Sequence, residues 1–252
     1  MDLVCLALKR FGTDLESGRL MTPAEDETGG PWMPIETLIV VHVAVLGYWL
    51  GSEFVINSTF RYVCFGASLP VPERKRLMDH VLDVDQHVRY ALLLQWTLGF
   101  YLAFRIGYLP SYESAGAAVL VIGAGWLALV EITHRTRSSV LGQRLAQLDR
   151  GIRYGVVGLL GVLSVGSLMG YFELQNWLAW KLLCFAGVML CGLLIRFALI
   201  RLFHLFEELT ALGSSPELEA RLNSAYYGAS SYLIVMWALI GAITLLSVWK
   251  VQ

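Results

Sequence analysis

The chain has 252 residues, of which 56% are hydrophobic and 15% charged, and its formal net charge is −1. Soluble domains carry about a quarter charged residues, and the mean hydropathy here is +0.60. A water-soluble enzyme, a nucleic-acid binder and a disordered chain are therefore excluded, and no net field draws the molecule to DNA or to anionic surfaces. What remains is an all-α, polytopic membrane protein, because the apolar stretches are continuous runs and not the short alternating segments of a β-barrel.

A membrane-crossing helix needs about 20 mostly apolar residues. Six segments supply them, roughly 35–64, 86–108, 114–133, 154–172, 176–203 and 221–249. Residues 1–34 form a polar N-terminal tail ahead of this six-helix transmembrane domain. The tail's apolar run, Leu3 to Leu8, is short and precedes Lys9 and Arg10, so a signal peptide is not expected. Thr22 to Gly30 reads as a linker, and Met21 and Met33 stand as alternative starts. Pro72 and Glu73 open a helix before the second span. Residues 138–150, after the third span, read as a separate short amphipathic helix on the inner surface. Ser215 caps a helix whose first turns hold Pro216, Glu217 and Glu219. The shared Pro-Glu pair suggests that hairpins one–two and five–six are a diverged repeat.

The basic residues set the orientation. Arg61, Arg74, Lys75 and Arg76 follow the first span. Arg135, Arg137, Arg144, Arg150 and Arg153 follow the third. Arg196, Arg201 and Arg221 surround the fifth-to-sixth connection. The opposite connections hold Arg105, Glu113 and Glu173, and Lys250 stands at the C-terminus. Lysine and arginine stay cytoplasmic, so both termini are expected outside. Trp32, Tyr108, Tyr112, Tyr171, Trp177, Trp180 and Trp249 form an aromatic belt at the outer ends. Cys5, Cys64, Cys184 and Cys191 make no Cys-x-x-Cys pair; the last three sit in apolar runs as small hydrophobes.

Ionisable residues inside a membrane helix are functional candidates. Here they are His42, Glu53, His87, Glu131, His134, Lys181 and His204. His42 and Lys181 each lie four residues past the outer start of a span, about 6 Å deep at ~1.5 Å per residue. They share one depth, whereas His87, His134 and His204 lie at the inner face. His42 and His87 therefore cannot be the two axial ligands of one haem iron. His42 reads either as a satisfied core histidine or as a haem or metal ligand, and Lys181 either as a snorkelling surface cation or as a partner of His42. Asp83 with His87, Glu131 with His134, and His204 with Glu207 and Glu208 have same-face spacings. They form an inner metal site or a solvated rim. Glu53 is expected to pair with an arginine or polar group of a neighbouring helix. Gly47 with Gly51, and Gly151, Gly155, Gly158 and Gly161, are expected at close helix contacts or beside a flat cofactor. Met169, Met189 and Met236 make no thioether ladder for copper.

His42 with Trp49, Gly51, Phe54 and Arg61 resembles the first-helix pattern of the HemJ-type protoporphyrinogen IX oxidases and their CopD-like (copper-resistance D) relatives. Trp177-Leu178-Ala179-Trp180-Lys181-Leu182-Leu183 is similar to a later helix of that family, and Arg221-Leu222-Asn223 to its last. The resemblance covers roughly 35–108 and 176–250, with a hairpin at about 110–172 between them. It implies haem b binding at His42 and Lys181, with Arg61 beside the cofactor. It also implies a multi-pass place in a bacterial-type inner (plasma) membrane. Because the family pattern has four helices, the looser CopD-like grouping is the one implied.

Three functions are compatible with these residues. The first is a haem b redox protein, a haem-dependent membrane oxidoreductase in its enzymatic form, with the iron on His42 and Lys181 as second ligand or propionate partner. The second is copper ion transport, and the third a cofactor-free structural or assembly subunit. The partners are the lipid bilayer, a quinone or redox partner subunit, and a second copy of the chain in a homodimer; nucleic acid is not among them.

Overall fold

A computed structural model describes residues 33–109 and 114–249. The tail with its linker, Cys5, Trp32, Tyr112, Glu113 and Lys250 lie outside the described residues. The chain divides into two units, Met1–Pro34 and Ile35–Gln252. The second unit holds six helices: α1 Ile35–Phe65, α2 Val71–Arg105, α3 Ala115–Arg135, α4 Val140–Leu168, α5 Asn176–Leu212 and α6 Pro216–Trp249. The protein is a helical membrane bundle. All but α2 are long and apolar enough to cross a membrane by themselves. The exception is polar because its first half carries Glu73 to Asp85 and its second half turns Gln86 and Thr97 inward, where both are buried.

One expected break is absent. The amphipathic stretch 138–150 and the fourth span are one helix, α4, capped by Ser139, whose hydroxyl accepts from the Gly142 N–H at 3.0 Å. Gly151 falls at the junction within α4, but a single glycine weakens a helix without ending it, so propagation continues. Pro72 and Glu73 open α2 as expected, and that helix runs on through the second span. The ends are set where backbone geometry changes. Gly107, Gly170 and Gly213 have φ of 84°, 83° and 85° just past α2, α4 and α5, a left-handed conformation that costs glycine little. At the start of α6 the Ser215 hydroxyl accepts from the Leu218 N–H at 3.3 Å, as the sequence predicts.

Successive helices pack as neighbours, α1 closes against α6, and α2 touches α5. The result is two four-helix sets sharing α2 and α5: one of α1, α2, α5 and α6, the other of α2, α3, α4 and α5. Val40, Phe54, Val121, Ile122 and Val162 are exposed, as lipid-facing side chains are. Toward the inner end a dense apolar core joins Phe60, Val63 and Met78 to Leu202, Leu209 and Leu222. There helices extend past the predicted spans, and burial from water stabilises them as in a soluble domain.

Arg74, fully buried, ties this inner end together. Its Nε donates to the Val63 carbonyl at 3.0 Å, and its two terminal nitrogens donate to Glu219 at 2.6 and 3.0 Å. Ser214 adds a hydroxyl donor to the same carboxylate at 2.7 Å. The start of α2, the end of α1 and the start of α6 are joined in one bidentate ion pair.

The glycine expectation is corrected by these contacts. Side chains added at Gly47, Gly51, Gly151, Gly155, Gly158 or Gly161 would meet open space. The close approaches are instead at isolated glycines. Gly123 of α3 abuts Thr97, and Gly187 of α5 would bring a Cβ to 2.9 Å from Leu239.

Candidate functional site

The outer half of the first four-helix set encloses a cavity of about 380 Å³. His42 comes to it from α1, Gln95 and Trp96 from α2, and Lys181 and Phe185 from α5, with Ile240 and Ile243 closing it from α6. His42 and Lys181 are thus brought together, as their equal depth implies. The geometry follows from the helix period: each side chain falls on the inward stripe of its helix, four residues above a buried or half-buried neighbour (Leu38 and Leu46 on α1, Trp177 and Phe185 on α5).

The polar atoms of this wall are incompletely satisfied. Gln95 Nε2 donates to His42 Nε2 at 3.1 Å. His42 Nδ1, Gln95 Oε1 and Trp96 Nε1 are buried without a hydrogen-bond partner. Lys181 is half-buried, and it interacts electrostatically with His42. Gly99 faces the ring, where a Cβ would come within 3.2 Å of His42 Cε1. The remaining wall is largely aliphatic with several rings set in it, and Tyr108 and Trp177 meet edge to face at 4.9 Å. Buried polar atoms left unpaired are costly, and three of them belong to residues of this wall, beside Lys181.

Arg61 does not join this site. It is exposed on α1, 19 residues beyond His42 and so about 28 Å along the helix, and it lines neither the outer cavity nor the inner one that Glu53 borders. The inner residues are also dispersed. His87 Nδ1 meets the Tyr48 hydroxyl at 2.6 Å. Glu131 is held by Tyr90 and by Arg135. His204 faces Glu207 at 3.4 Å, both exposed. Asp83 is exposed, and His134 is half-buried at the end of α3. Among the described residues no three His, Cys, Asp or Glu side chains group as a metal site. Glu53 takes the Trp49 Nε1 hydrogen at 3.4 Å from its own helix, and not from an arginine of a neighbour. Trp49 lines the outer cavity and Glu53 the inner one.

Gln95, Trp96 and Gly99 escape sequence reasoning, although an amide within the charge-free run 90–104 is a visible signal. Arg196 reads from the sequence as a loop cation. Seven residues short of the predicted span end, it is an ionisable group inside the span. No protein-family model matches this chain, and no curated protein or solved structure matches it.

Proposed function

We propose that this protein is an integral membrane haem b protein with a redox, electron-transferring role, its haem seated in the outer cavity. The observation that carries this reading is the convergence of His42 and Lys181 on one cavity. The residues fit the group. A neutral, half-buried imidazole is a good iron ligand, and about 380 Å³ falls in the range of small-molecule and cofactor sites. His42 would hold the iron, with the Gln95 amide turned so that Oε1, and not Nε2, meets the ring and accepts the remaining ring N–H. Lys181 would serve as second ligand or pair with a propionate. A haem held there supplies a one-electron couple whose potential follows the ligands, the hydrogen bonds and burial.

The helix arrangement adds support. The stretches similar to the HemJ-type and CopD-like proteins are α1, α2, α5 and α6, one closed four-helix set, with α3 and α4 as an added hairpin. The electron partner is a membrane quinone or a redox subunit, and the setting is a bacterial-type inner membrane. The test is the haem content of purified His42→Ala protein that elutes as a folded species. We expect a fall of at least about tenfold against wild type; full retention of haem overturns the reading.

A further inference from the structure

A second cavity, of about 360 Å³, lies in the inner half of the bundle. Its walls are largely apolar, with Phe60, Leu199 and Phe203 among them, yet three guanidinium groups from three helices reach it: Arg89 of α2, Arg153 of α4 and Arg196 of α5. Arg89 spends Nε and Nη2 on one Asp85 oxygen, at 2.9 and 2.6 Å. Arg153 gives Nε to Asp149 at 2.9 Å and lies 5.6 Å over the Trp126 ring, while its Nη2 is buried with no partner. Arg196 makes no hydrogen bond or ion pair among the described residues; its electrostatic neighbours are Arg89, Arg150, Asp85 and Asp149. Of the three arginines at this end of the cavity, Asp85 holds Arg89 and Asp149 holds Arg153, which leaves Arg196 without a hydrogen-bonded anion. Glu53, at the same cavity, takes its hydrogen bond from Trp49 and not from Arg196.

A half-buried guanidinium with no hydrogen-bonded anion is costly unless a ligand meets it. A guanidinium fork matches carboxylate and phosphate geometry. We propose that the inner cavity binds an amphipathic anion, its carboxylate or phosphate held by Arg196 and Arg153 and its apolar body lying along Phe60 and Phe203. The same chemistry is offered by a free organic acid and by an anionic lipid head group entering between helices. This site is separate from the outer cavity and does not depend on haem.

The test is thermal stability of the full chain in neutral detergent with three added probes: decanoate, dihexanoyl phosphatidylglycerol and uncharged decanol. A ligand of the folded state raises the midpoint with concentration. We expect at least one anionic probe to stabilise the wild type well beyond decanol. Decanoate alone identifies a free acid, and phosphatidylglycerol alone a lipid head group. In Arg196→Gln the apparent Kd should rise at least about tenfold, the loss of one charge-assisted hydrogen bond, and Arg196→Lys should retain part of the binding. Should Arg196→Gln fail to fold, Arg153→Gln provides the same reading. Anionic probes no better than decanol, or a folded Arg196→Gln or Arg153→Gln protein that responds as wild type, overturns the proposal.

Discussion

Arg74 and Lys181 are both cations away from water, and their surroundings give them different work. Every nitrogen of Arg74 is spent, on Val63 and on Glu219. Removing it leaves the Glu219 carboxylate largely buried and unpaired. Arg74→Ala is therefore expected to destabilise the folded protein by about 3–5 kcal/mol. The double change Arg74→Met with Glu219→Leu should recover most of that, measured by reversible unfolding in mixed micelles; equal losses in the single and double variants would contradict it. Lys181 has no such partner and faces His42 across the cavity. Lys181→Met should leave stability nearly unchanged, within about 1 kcal/mol, while shifting the absorption bands of the bound haem; unshifted bands would remove Lys181 from the site. His42 and Lys181 are legible in the sequence because each stands alone in an apolar run. The Arg74–Glu219 pair is not, because its members are 145 residues apart and each reads as an ordinary helix-start charge.

At the scale of the element, glycines separate contact from open surface. Gly123 faces Thr97, whose hydroxyl is anchored to the Leu93 carbonyl at 2.8 Å and has little room to move. Gly123→Ala should cost about 1–3 kcal/mol through overpacking of α3 on α2, with Thr97→Ala restoring part of it. Gly155→Ala meets open space and should be neutral within about 0.5 kcal/mol. Thermal unfolding of the three variants checks both, and a costly Gly155→Ala would contradict this packing. Small-residue spacing on α4 suggests contact from the sequence, but spacing fixes only which residues share a face. The neighbour they face depends on how the helices are arranged around the bundle. The same limit explains the continuous α4, where hydropathy marks the membrane portion and hydrogen bonding carries the helix past it.

For the whole molecule, the six helices are readable from the sequence, five of them long and apolar enough to cross a membrane, and the ends of α1 fall within a residue of those expected. The partition into two four-helix sets sharing α2 and α5 is not readable, because it rests on contacts between distant segments. Alternating helices put the α1–α2, α3–α4 and α5–α6 connections at one end, where the arginines gather, and the positive-inside rule turns that end to the cytoplasm. In a Cys5→Ser background, Tyr171→Cys should react with an impermeant maleimide in intact cells and Ser138→Cys only after permeabilisation. Both positions are exposed, and the described native cysteines are buried or half-buried. The reverse pattern would invert the bundle. A haem in the outer cavity, with His42 and Lys181 on its wall, is tested most directly by the absorption spectrum of the purified full chain, expressed with ample haem, before and after dithionite. The expected result is a Soret band that sharpens and shifts on reduction and is lost in folded His42→Ala protein; a featureless visible spectrum from folded wild-type protein would contradict it.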